Sequence, residues 1–396
     1  YEKQLKDRKE DVIRLIDEKG LLTDALKAQI QKASQLVDVE DLYRPYKEKK
    51  KTKATIAAKR GLEPLADILM DFGDGDLEKA AQPYLGEEVP DAAAALEGAR
   101  HIIAEKISDT PIYRKWIRNQ TFENGVVETK LKKNAEDPKK VYEMYYDFSE
   151  PVKKIKLFRV LAINRAEKEK VLRVKVTMDE SRVHAYLHDK SVKREGVSET
   201  EQVTLAYKDA YKRLIAPSVE REIRGDLTEK ADDHAIEMFS ENLRALLLSP
   251  PLKGKRILGV DPAYRTGCKL AALDELGSLK EVGVIYPHPK KPSGSVDEKT
   301  RKTAEAKLLK MIADHRTDVI AIGNGTASRE TERFVADVIK KQDRDVVYTI
   351  VNEAGASVYS ASPLAKKEFP NLQVEERSAV SIARRLLDPL SELVKI

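Results

Sequence analysis

From Tyr1 to about Val37 the apolar residues Leu5, Val12, Leu15, Ile16, Leu21, Leu22, Leu26, Ile30 and Leu36 recur mostly at helical spacing, with polar residues between them. That spacing lays them along one face of a helix, and Gly20 predicts a cap that divides the stretch into a helical hairpin. Leu62–Phe72 and Ala92–Ile107 repeat the pattern, separated by the turn-rich Gly73-Asp74-Gly75-Asp76 and by Pro90. At Leu172 the period changes. Val174 and Val176 alternate with Arg173, Lys175 and Thr177, and a turn at Asp179 predicts a small β-hairpin over Leu172–Leu187. Helical spacing returns from Thr200 to Leu248, as one long helix or two end to end, with Pro217 and Gly225 as places for a kink or break.

Ser249-Pro250-Pro251 stops that helix and marks the strongest boundary in the chain. Beyond it, short β runs at 256–261, 270–273, 282–286, 318–323 and 346–351 interleave with helical stretches at about 298–315, 328–341 and 376–388. A β-meander followed by alternating strands and helices is the order of a ribonuclease H-type α/β sheet. The expected fold is therefore mixed: a helical region over 1–251 with a small β element, then an α/β domain over 254–396.

Composition narrows the function classes. Among 396 residues, 72 Lys and Arg against 67 Asp and Glu give a net charge of +5, a mild preference for anionic partners. The single Cys268 excludes a disulfide framework and a cysteine-based zinc site, and fits a reducing compartment. With no apolar run long enough to span a bilayer and no signal peptide in view, the expected location is the cytoplasm, with no membrane partner. The first residue, Tyr1, and a last helix running to Ile396 read as a fragment of a longer polypeptide.

The candidate chemistry lies in the α/β part. Leu258-Gly259-Val260-Asp261 is an apolar strand ending in a carboxylate, and Glu353 follows the last strand, so both belong at one edge of a parallel pair. Two-metal phosphodiester hydrolysis needs three or four converging carboxylates. The loop Gly323-Asn324-Gly325-Thr326 offers none, and Glu330, in the first turn of the following helix, is also accounted for by the helix dipole. Alternatively, Asp261 braces the turn before Pro262. The glycine loop presents either backbone N–H groups to an anion or a tight turn with Ser328 or Thr326 as helix cap. No lysine stands at nucleotide-binding P-loop spacing, either here or around Gly267-Cys268-Lys269.

Arg44, Lys47, Lys49, Lys50, Lys51, Lys53, Lys59 and Arg60 face only one acid, Glu48, within seventeen residues, and Tyr43 and Tyr46 stand at the start. Such density neutralises several phosphates in a salt-sensitive way, or else forms a solvated face paired with acidic helices. His184 and His188, four apart on the expected strand, lack a third ligand, so no zinc site and no other metal or cofactor is expected. Trp116, flanked by Ile112 and Ile117, reads as helix core.

Asp41-Leu42-Tyr43-Arg44-Pro45-Tyr46-Lys47, Thr52-Lys53-Ala54-Thr55-Ile56-Ala57 and the loops around Asp261, Gly323 and Glu353 together resemble the bacterial Tex family of transcription accessory proteins, nearly end to end. The resemblance implies a helical region with a helix-turn-helix, then a YqgF domain of ribonuclease H-like fold related to Holliday-junction resolvases. It also implies that the family's helix-hairpin-helix elements and OB-fold RNA-binding domain have no counterpart here. Carried over from active resolvases, Asp261 matches their first aspartate and Glu353 their glutamate. The neighbouring aspartate has become Asn352 and the terminal-helix aspartate aligns with Arg377, with Glu376 as the available substitute. Phe158, ahead of Arg159, stands where relatives tend to carry histidine.

These readings lead to a nucleic-acid-binding transcription scaffold, with RNA or single-stranded DNA and the transcription machinery as partners and an inactive nuclease-like domain. Two alternatives stay open: a metal-dependent nuclease or resolvase using Asp261 and Glu353, and a protein-interaction module whose nucleic-acid affinity lies in the missing C-terminal part.

Overall fold

Helices α1 (Glu2–Asp17), α2 (Asp24–Lys32) and α3 (Leu36–Tyr43) bury Val12, Ile16, Leu26, Ile30, Val39 and Tyr43 against one another, in a computed structural model that describes residues 1–49, 51–289, 296–342 and 344–396. Gly20 makes the turn between α1 and α2 at φ +67°, a conformation that costs glycine nothing. The chain forms two compact units, Tyr1–Ile236 and Glu237–Ile396.

In the first unit α4 (Lys53–Lys59), α5 (Glu63–Asp71), α6 (Leu77–Ala81), α7 (Ala92–Ser108) and α8 (Pro111–Asn124) follow α3. Helix α7 is alanine-rich because α4 and α5 pack close on it; a Cβ at its Gly98 would collide with Leu62. Next come β1 (Val126–Leu131), β2 (Asp147–Pro151), α9 (Leu157–Lys168), β3 (Leu172–Thr177), α10 (Glu180–Ser191), α11 (Ser198–Asp209) and α12 (Ala216–Leu247). The alternation at 172–177 is that of a real strand, but its partner is not the segment after it. β3 pairs antiparallel with β1 in a sheet of order β2-β1-β3, and Asp179 accepts the Ser181 N–H as the cap of α10, which takes the place of the expected second hairpin arm. His184 and His188 consequently lie on a helix, beside Tyr207 and Tyr211 rather than on a strand. Helix α12 runs through Gly225 without a break, and Pro217 lies near its start, directly after the segment 210–215. Between α11 and α12 the backbone widens into a π-helical turn, Ala210–Ile215.

The second unit holds a five-stranded sheet built from β4 (Ile257–Asp261), β5 (Cys268–Leu273), β6 (Leu279–Ile285), β7 (Val319–Gly323) and β8 (Val347–Val351), in the order β6-β5-β4-β7-β8. β4, β5 and β6 form the antiparallel meander, and β7 and β8 add in parallel. This is the ribonuclease H-like arrangement on a mixed fold. Helices α13 (Glu298–Asp314) and α14 (Ser328–Ile339) cover one face with Leu308, Met311, Phe334 and Val335. After α15 (Ala356–Ala361) and α16 (Pro363–Glu368), α17 (Val374–Leu387) covers the other face with Ala379, Val380, Ile382 and Ala383, and α18 (Pro389–Leu393) packs on α17. The central strands are buried on both sides, which explains their uninterrupted apolar runs. At Gly259 a Cβ would strike the carbonyl of Ala379, so α17 lies directly on β4. Among the described residues no helix is long and apolar enough to cross a membrane.

Candidate functional site

Because β4, β7 and β8 run parallel, their C-terminal ends share one edge, where the sheet delivers Asp261, the glycine loop and Glu353 together. Burial pushes the Asp261 carboxyl up to about 6; nearby Glu353 and Glu375 act in the same direction, while a hydrogen bond from Ser378 and the charge of Lys269 oppose it. Lys269 stands opposite Asp261 in the β4–β5 register and is itself buried, its Nζ donating to the carbonyls of Thr266 (2.5 Å) and Gly267 (3.2 Å). A lysine inside a strand that is otherwise buried throughout was the available signal, and sequence reading passed over it.

The glycine loop already faces an anion. A Cβ at Gly323 or Gly325 would collide with the Glu353 carboxylate, which packs against both positions. Asn324 ties the loop to the strand end: its N–H donates to Val351 O (3.1 Å) and its Oδ1 accepts from Glu353 N (3.1 Å). The space over Gly323-Asn324-Gly325-Thr326 is therefore taken by the protein's own carboxylate. Neither Ser328 nor Thr326 caps α14; the cap position is Ala327 at φ +64°, with no side-chain cap bond. Glu330, in the first turn, lies near the Tyr264 hydroxyl, whose pKa is raised by burial and then by this carboxylate.

Helix α17 completes the edge differently from what the resolvase resemblance implies. Arg377 is buried, and its guanidinium donates to Phe369 O (3.1 Å) and Ser360 O (3.2 Å), bracing α15 and α16. The α17 side chain beside Asp261 is that of Ser378, one position further on. Glu376 is used in the capping box of α17, accepting from Gln373 N at 2.8 Å, so the third acid within reach of Asp261 is the exposed Glu375. Behind Glu353, Arg385 is 4% exposed and donates to Asn352 O (2.8 Å), while its Nε and Nη2 have no partner among the described residues.

Active ribonuclease H-like enzymes use divalent cations, and these residues do not fit a pair of them. A serine hydroxyl lies beside Asp261, the Glu353 carboxylate is lodged in the glycine loop, and a buried guanidinium lies close to Glu353. Among the described residues no group of three or more His, Cys, Asp and Glu side chains is arranged to hold a metal ion.

The basic segment separates into two kinds of residue. Lys49 is spoken for, by Glu105 at 3.2 Å and by Asp109, and Arg60 pairs with Glu88 at 3.1 Å. Arg44 turns inward, and burial lowers its pKa. Lys47, Lys51, Lys53 and Lys59 are exposed and have no ion-pair partner among the described residues; Lys50 lies outside them. Lys53 and Lys59 project from the two ends of α4, whose start is fixed by a Thr52–Thr55 capping box.

Comparison with known proteins converges on one family. Residues 255–387 match the Tex protein YqgF-like domain and residues 74–239 the Tex central region-like model. The uncharacterized protein YdcI of Bacillus subtilis is 54% identical over 400 residues, covering 100% of this chain and 55% of that protein. The transcriptional accessory protein Tex of Neisseria gonorrhoeae is 39% identical over 402 residues, covering 100% of this chain and 52% of that protein. The human S1 RNA-binding domain-containing protein 1 is 35% identical over 403 residues, covering 97% of this chain and 39% of that protein. The chain spans about half the length of the curated bacterial relatives it matches. A YqgF-like sheet joined to a Tex central region, with full-length similarity to bacterial Tex, means that this chain belongs to the Tex family.

Proposed function

We propose that this chain is a nucleic-acid-binding scaffold that serves transcription in the cytoplasm, that its ligand is RNA or single-stranded DNA, and that its ribonuclease H-like domain does not cleave. The observation that carries the binding half is the run of exposed lysines at 47, 51, 53 and 59, unpaired among the described residues. The reading divides the work between residues 1–251, which hold the strand, and 254–396, whose sheet edge has become a packed structural junction. The relatives named for transcription and for RNA binding agree with it.

Each phosphate neutralised on a single strand contributes about −0.7 to the slope of log affinity against log salt. Four engaged lysines therefore lower affinity roughly fifty-fold between about 50 and 200 mM salt. Fluorescence anisotropy with a labelled single-stranded RNA and its DNA equivalent checks this. Changing Lys47, Lys51, Lys53 and Lys59 together to alanine is expected to remove most of the affinity and flatten the slope. Undiminished binding by that variant rejects the segment as the interface, and absence of binding by the parent chain favours a protein-interaction module.

A further inference from the structure

Asp41 on α3, Arg114 and Arg118 on α8, and Glu222 on α12 form one buried ionic cluster. Arg114 Nε donates to Asp41 (2.6 Å) and its Nη2 to Glu222 (2.8 Å); Arg118 Nε donates to Glu222 (2.8 Å) and its Nη2 to Asp41. Both carboxylates are thus shared between the same two guanidinium groups. Arg44, three residues after Asp41, adds a third cation with no carboxylate left for it, and Arg44 Nε and Arg114 Nη1 are buried without partners among the described residues. Arg44 opens into a cleft of about 390 Å³ whose rim adds Lys47 and Arg221.

The cleft also contains acids, but each has a nearer cation. Glu40 pairs with Arg8 (2.5 Å), Glu105 and Asp109 with Lys49, and the remaining lining cation, Arg213, is paired with Asp209 (2.5 Å). Arg44, Lys47 and Arg221 are left facing the same space without ion-pair partners among the described residues. Desolvation lowers the Arg44 pKa, with the charge of Arg114 adding to it, so an anion in the cleft relieves a cost the folded chain otherwise carries.

We propose that this cleft is a phosphate-binding site, in which Arg44 from below and Lys47 and Arg221 from the rim hold a phosphate dianion. Three uncompensated cations match a group carrying about −1.5 to −2 charges better than a monovalent carboxylate, and guanidinium forks suit its oxygens. The shared chemistry is a phosphate with at least two ionised oxygens, supplied either as the free ion or as the terminal phosphate of a nucleic-acid strand. The site goes beyond strand binding by the exposed lysines, because Arg221 lies on α12, outside that segment.

Isothermal titration of the whole chain at constant ionic strength tests it, with inorganic phosphate, a 5′-phosphorylated dinucleotide and its 5′-hydroxyl counterpart as probes. Inorganic phosphate is expected to bind at one site with a millimolar or tighter Kd. Arg221→Ala and Lys47→Ala each weaken it several-fold, and the double variant abolishes saturable binding while melting as the parent does. A phosphorylated dinucleotide preferred tenfold over inorganic phosphate identifies the source as a strand end; equal affinities identify the free ion. Arg44→Lys, which keeps the charge but loses the buried Nε donor, also weakens binding. No saturable binding by any phosphorylated probe up to about 10 mM, tenfold weaker than a millimolar Kd, or unchanged binding in the double variant, overturns the site. The Lys51, Lys53 and Lys59 triple variant keeps phosphate binding even if it loses RNA, so the two failures are distinguishable.

Discussion

Arg114→Ala is expected to destabilise the N-terminal unit by about 3–5 kcal/mol, because it leaves Arg118 alone to hold two carboxylates in a buried site. Arg114 is fully buried, Asp41 is 3% exposed, and the four groups join α3, α8 and α12, which are far apart in sequence. Urea unfolding followed by circular dichroism should show the midpoint fall with little change in slope. Asp41→Ala should cost a similar amount, and the double variant less than the two losses together, since each single change leaves an unpaired charge that the other removes. A loss below about 1 kcal/mol would mean that helix packing alone joins these elements. The same cluster explains the first family motif: Asp41 enters the ion network, Tyr43 fills the core of α1–α3 with Arg8 over its ring at 5.5 Å, and Arg44 lines the phosphate cleft.

Asp261→Asn is expected to act in the opposite direction. The carboxyl titrates near 6 in the folded chain against an ordinary value of 3.8. An acid whose folded pKa is raised is easier to ionise in the unfolded chain, so the native state binds more protons and loses stability as pH rises from about 4 through 6. Above that window the buried carboxylate costs about 2 kcal/mol at the conversion of 1.36 kcal/mol per unit, reduced for its remaining solvent contact. Asparagine keeps an acceptor for Ser378 and removes the charge. It should therefore stabilise the α/β unit by about 2 kcal/mol at pH 8 and by almost nothing at pH 4. Denaturant midpoints at the two pH values check this, and equal effects at both would show that Asp261 is not held against its ionisation.

Much of the α/β unit was legible because its strands are buried on both faces and so read as plain apolar runs between turns, as at 257–261 and 319–323. The first unit was harder. β1, with Val127 and Thr129 facing inward, alternates over only a few residues, and its pairing with β3 spans more than forty positions that local pattern does not register. Asp179 shows how one residue type serves two local purposes: turn and helix cap use the same carboxylate–backbone bond, and only the residues after it, Glu180 onward, distinguish the two. At the site, the residues on strand ends were visible because the sheet fixes where a strand points. On α17 the resemblance pointed to Arg377, and a shift of one residue on a helix turns a side chain by about 100°. That shift is the difference between Arg377 beneath α15 and Ser378 against Asp261. Charge density located the basic segment, but could not separate the exposed lysines from Lys49 and Arg60, whose acidic partners lie 28 to 60 residues away.

The most direct measurement incubates the chain with end-labelled single-stranded RNA and DNA in magnesium or manganese, recording anisotropy and then resolving the same samples on a denaturing gel. Salt-sensitive binding with strands of unchanged length is the expected result. Metal-dependent shortening of the strands that disappears in Asp261→Asn would contradict it and restore the sheet edge as a nuclease site.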